Sequence, residues 1–118
     1  DEKILSLIEQ QKKMGGIDVS KLKTDTQLKV KTQNTEYNIT VLEQGNIIIQ
    51  GGRFFPTPME GRLNGSTWGG SMIKLHWIGF DMRMELVFKE GRIQTSPVKN
   101  VTVASNDWQY ELEWNEEY

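Results

Sequence analysis

Residues 36–41 read Glu36-Tyr37-Asn38-Ile39-Thr40-Val41. Polar and apolar side chains alternate here without a break. Successive residues of a strand point to opposite faces, so Tyr37, Ile39 and Val41 share one face and Glu36, Asn38 and Thr40 the other. One face suits a core and the other suits water. From about residue 28 onward this two-residue period governs the chain.

Working outward, Glu43-Gln44-Gly45-Asn46 reads as a turn, and the continuous Ile47-Ile48-Ile49 as a strand covered on both faces. Pro56 and Pro58 lack the amide hydrogen that a central ladder needs, so RFFPTPME reads as a crossing loop with Phe54 and Phe55 tucked inward. GRLNGST is a short strand that Trp68-Gly69-Gly70-Ser71 breaks. In SMIKLHWIGF, Ile73, Leu75 and Trp77 face away from Lys74 and His76, and Gly79 permits a bulge. In DMRMELVF, Met82, Met84, Leu86 and Phe88 oppose Asp81, Arg83 and Glu85. Gly91 suits a turn that needs positive φ. RIQTS and VKNVTV make two strands around Pro97, and WQYELEW makes the last.

Before this pattern, Ile4, Leu5, Leu7 and Ile8, with Met14, mark one apolar face of an amphipathic helix that Gly15-Gly16 ends. The expectation is a mainly β domain: an antiparallel barrel or sandwich of about eight short strands after one N-terminal helix. Its division is a helix over 1–16, a connector over 17–27 pinned by Ile17, Val19 and Leu22, a β-domain over 28–114 and an acidic tail over 115–118. The length of 118 residues suits a single domain with its own core.

Composition excludes several classes. Without cysteine there is no disulfide framework, Cys-based zinc site or thiol nucleophile, and a reducing, cytoplasmic setting is expected. A formal charge of −2 offers no bulk attraction to nucleic acid or anionic membrane. No apolar run reaches the roughly 18 residues of a membrane span. DEKILSLIEQQ lacks the basic start and apolar run of a signal peptide, though a removed leader or upstream domain stays open. The sequons at Asn38, Asn64 and Asn100 read as chance, two of them within strands.

The runs QGGRFFP, LNGSTWGGSMIKLHWIG and DMRMEL with TSPV, within residues 44–98, resemble a group of small bacterial β-rich proteins. That resemblance covers about half the chain, implies a stand-alone β domain, and transfers no activity or catalytic residue.

Asn64-Gly-Ser-Thr-Trp-Gly-Gly-Ser71 is the most distinctive segment. Free backbone N–H groups in such a loop can converge on an anion. Phosphate loops, however, open a helix, and here a strand follows. The ordinary reading is a hairpin or strand bend. His76, the one histidine, could join Asp81 and Glu85 in a His-and-two-carboxylate metal set, but a structural role is the commoner one. No GxSxG pattern supports serine catalysis by Ser66 or Ser71. Arg53, Arg62 and Arg83, converging with His76, would bind an anion bidentately. Otherwise the arginines, Arg92 included, pair with Glu60, Asp81, Glu85 and Glu90. Met59, Met72, Met82 and Met84 cluster with Phe54, Phe55, Trp68, Trp77 and Phe80 as core, or as the wall of a cavity or oligomer face.

The leading expectation is a non-catalytic domain that holds a small anionic or amphipathic ligand in a barrel pocket. Arg53, Arg62, Trp68, His76, Trp77 and Arg83 would line it, without metal or cofactor, membrane or nucleic acid. The alternatives are a protein-interaction or self-assembling module forming a homo-oligomer, and a small enzyme centred on His76 with Asp81, Arg83 and Glu85.

Overall fold

The computed structural model describes residues 15–105 and 108–115. The expected helix with Met14, and the last residues of the acidic tail, lie outside them. The strands are β1 (Gly16–Asp18), β2 (Gln27–Thr32), β3 (Glu36–Val41), β4 (Asn46–Gly51), β5 (Phe55–Thr67), β6 (Lys74–Leu75), β7 (Trp77–Gly79), β8 (Arg83–Phe88), β9 (Gly91–Ser105) and β10 (Trp108–Asn115). Every paired strand runs antiparallel to its partner.

The alternation in 36–41 sets the pattern. Tyr37, Ile39 and Val41 are buried, as are Leu28 and Val30 opposite them on β2 and Ile47 and Ile49 on β4. Ile48, expected to be fully covered, is half-buried. β2, β3, β4 and β5 pair in succession; β5 then pairs β8, β8 pairs β9, and β9 pairs β2. The ladders therefore form a closed cycle of six strands. Inside it lie Leu28, Ile39, Ile47, Ile49, Leu63, Met84, Leu86, Val101 and Val103, all at most 2 % exposed. β10 continues the ladder along β9, β6 pairs β5, and β1 pairs β7 as a separate two-stranded piece.

Two long strands make this closure work. β5 pairs β4 over Phe55–Arg62 and β8 over Gly61–Thr67. β9 pairs β8 over Gly91–Pro97 and β2 from Val98 onward. Both long strands correct the sequence expectation. Pro56 and Pro58 lie in strand, not in a crossing loop, because this half of β5 has only β4 beside it among the described residues. A proline is tolerated where its ring faces away from the ladder. Pro97 does not separate two strands: it falls inside β9, at the seam where one partner gives way to the other.

Other alternations break for local reasons. Phe55 is fully buried, edge-on to Tyr37 at 6.4 Å and to Phe88 at 4.9 Å between centroids. Phe54, expected inside, is 48 % exposed with the Arg53 guanidinium 5.2 Å from its ring centre. Leu75 is 69 % exposed because His76 takes a φ of 57°, which interrupts the strand and resets its faces. Glu85, expected outside, is buried after a register shift between Arg83 and Glu85. The 17–27 connector holds β1 and a 3-10 turn at Val19–Lys21, with Ile17 and Val19 buried and Leu22 half-buried.

Tyr37 carries a pH consequence. Burial raises its phenol above the ordinary tyrosine value, and a hydrogen bond with Thr35 opposes this in part. The unfolded tyrosine then ionises first, near pH 10. The stabilisation is complete below that pH and is lost as pH rises through the folded value. Tyr37→Phe is therefore expected to flatten the alkaline fall of the urea midpoint between about pH 9 and 11. An unchanged slope would exclude Tyr37 as its source.

Candidate functional site

The segment 64–71 is a strand end and a loop. Its polar groups are used internally. Ser66 is buried; its hydroxyl donates to the Trp77 carbonyl and accepts from the Gly79 amide at 3.2 Å, tying β5 to β7. Thr67 Oγ1 accepts from the Gly69 amide and donates to the Gly70 carbonyl, each at 3.1 Å, which closes the loop on itself. The chain returns as β6, with Gly65 opposite Leu75 and Ser66 opposite Lys74.

This loop pushes apolar side chains into solvent. Trp68 is 73 % exposed and Met72 87 %. With Ile73 and Lys74 they border a cleft of about 620 Å³ that Trp77, Phe80 and Met82 also line. Lys74 Nζ stands 3.7 Å from the centre of the Trp77 ring. Gly15 completes the wall, and its carbonyl accepts from the Phe80 amide at 2.9 Å. A Cβ at Gly16 would sit 2.7 Å from the Trp77 ring, so only glycine lets β1 pass this close. The outer face of β2, β3 and β9 carries a second, polar concavity of about 420 Å³, bordered by Gln27, Lys29, Lys31, Glu36, Asn38 and Thr102.

The six expected site residues do not converge. Trp68 and Trp77 share the apolar cleft. Arg62 and His76 meet elsewhere: Arg62 Nη2 is 3.5 Å from His76 Nε2, and Arg62 Nη1 donates to the Gln44 carbonyl at 3.0 Å. The His76 ring lies against Gly45, and its backbone amide donates to Asn64 O at 2.9 Å. Arg53 is on the turn after β4, and Arg83 donates to the Thr95 carbonyl at 3.2 Å. Arg62 and Arg83 are exposed at different positions of the ladder, and Arg53 lies on a turn outside it.

Asp81 pairs with Lys99 at 2.6 Å, and Glu85 accepts from Asn64 at 3.1 Å and Gln94 at 3.4 Å. Of the anticipated arginine pairs, Arg92 to Glu85 at 3.9 Å is present. Among the described residues no group of three His, Cys, Asp or Glu side chains could hold a metal ion, and no helix is long and apolar enough to cross a membrane. The surplus of methionine and aromatic residues was the sequence signal for the cleft. Lys74 gave none, because a lysine on an exposed strand position is ordinary.

Comparison with protein-family models, with curated proteins and with solved structures finds no match to this chain.

Proposed function

We propose that the six-strand cycle is a small barrel filled by its own side chains, and that the chain is a non-catalytic binding domain whose ligand seats outside it, in the Trp68–Met72 cleft. The ligand is a small amphipathic molecule with an apolar body and an anionic head. One observation carries this: two large apolar side chains, Trp68 and Met72, stand in solvent within five residues of one another, on the border of a concavity walled by Trp77, Phe80 and Met82. Monomeric proteins seldom leave contiguous apolar surface without a use. The cleft volume lies within the roughly 300–1,000 Å³ of small-molecule sites. The Lys74 ammonium at its border favours a negative head over a positive one.

Calorimetric titration with dodecanoate and with dodecyltrimethylammonium, both below their micelle concentrations, tests the reading. Saturable binding of the anion is expected, with weaker binding of the cation. Trp68→Ala should weaken it roughly tenfold or more, about 1.4 kcal/mol. Absence of saturable binding, or equal binding by Trp68→Ala, would overturn the assignment.

A further inference from the structure

Arg62 is held without an acid. Its terminal nitrogens meet the Gln44 carbonyl at 3.0 Å and His76 Nε2 at 3.5 Å, and among the described residues no carboxylate pairs with it. A guanidinium donates through all its nitrogens and accepts through none, so Nε2 is the accepting nitrogen of this contact and the imidazole proton sits on Nδ1. The contact is longer than the usual donor–acceptor distance of about 2.7–3.2 Å and gives way easily. The backbone is bent to bring the two groups together. Gln44 and His76 each take a φ of 57°, in the left-handed region that residues other than glycine seldom occupy. Gly45 lies against the ring, and a Cβ there would stand 2.7 Å from Nε2. Such strain persists only where its surroundings hold it, and it collects at ligand sites.

A cationic donor thus stands beside a neutral acceptor, and a ligand that matches both must accept from one and donate to the other. Hydrogen phosphate does so: its oxygens take the remaining guanidinium N–H groups, and its P–OH donates to Nε2. Sulfate has the same charge and shape without the proton. A phosphomonoester, whose second pKa is about 6, has lost its own proton by about pH 8. We propose that Arg62 and His76 form a site for free inorganic phosphate in its hydrogen-phosphate form, with the anion entering between Arg62 Nη2 and His76 Nε2. The site is separate from the Trp68–Met72 cleft and does not rest on the ligand assigned there.

His76 is the single histidine, so one imidazole Cε1 proton resonance reports on the site. Inorganic phosphate, sulfate and glycerol phosphate are titrated separately at fixed ionic strength and about pH 8, where an ordinary imidazole is neutral. All three are then dianions, and phosphate alone still carries a proton. Phosphate should move the resonance saturably and bind roughly tenfold more tightly, or better, than either other anion. Arg62→Gln should weaken phosphate roughly tenfold. His76→Asn tolerates the positive φ and should erase the advantage of phosphate over sulfate, read from the amide resonances of residues 44–46. It carries the test if Arg62→Gln fails to fold. No saturable response to phosphate, or one that Arg62→Gln leaves unchanged, would overturn the site. An equal response to all three anions, or a preference for phosphate that survives His76→Asn, would overturn the hydrogen-phosphate assignment.

Discussion

Phe55→Ala is expected to lower unfolding stability by about 3–5 kcal/mol, the usual loss for truncating a fully enclosed aromatic ring. Its neighbour Phe54→Ala should lose less than about 1 kcal/mol. Phe55 is sealed between Tyr37 and Phe88, whereas Phe54 faces water. Truncating Phe55 removes apolar contact and two edge-on ring contacts, and it leaves a void in a close-packed interior. Chemical denaturation of the two variants, side by side, measures the difference. Equal losses would mean that the two rings are not sorted between core and solvent where the turn enters β5.

Gly65→Ala should have a comparable effect. At Gly65 φ is +153°, and a Cβ would stand 2.0 Å from the Lys74 carbonyl oxygen and 2.8 Å from Ile73 Cγ2. The oxygen belongs to the paired backbone, so it cannot swing aside as a side chain would. Backbone strain and the opened β5–β6 pairing together should cost roughly 3 kcal/mol or more, a drop of about 10–15 °C in Tm. The second half of the same motif supplies the control. A Cβ at Gly70 meets nothing within 4 Å, and Gly70→Ala should stay within about 0.5 kcal/mol of the parent. Thermal melts that rank the two variants the other way would contradict this account of the motif.

The strands were legible where one face is buried and the other wet. Residues 36–41 could be read because a one-residue slip would expose Tyr37, Ile39 and Val41 together. Pro56 and Pro58 misled because proline excludes a central strand, and whether a strand is central depends on partners distant in sequence. Pro97 misled for the same reason, at the seam of β9. The outward turn of Leu75 follows from positive φ at His76, and nothing in the residue type announces it. For the site, composition pointed to the Met and Trp cluster. Convergence of arginines could not be judged, because it depends on strand register. Arg62 and Arg83 lie on neighbouring strands, paired to Val87 and Thr67, yet they bond to different carbonyls.

The two-partner strand β9 also sets an order in time. Thr32 meets Val98 and Gln27 meets Ala104, so β2 waits for a partner from near the far end of the chain. During synthesis β2 to β5 can zip together as neighbours, since their pairings are local. β2 keeps one bare rim until residue 104 has left the ribosome, and β8 keeps one until residues 91–97 have done so. At about 5–20 residues per second the β2 rim stays open to other chains for about 2–7 s after β5 has emerged, and the β8 rim for about 2 s or less. A chain that stalls before β9 thus still carries both bare rims, and its safe passage depends on how quickly the residues of β9 arrive.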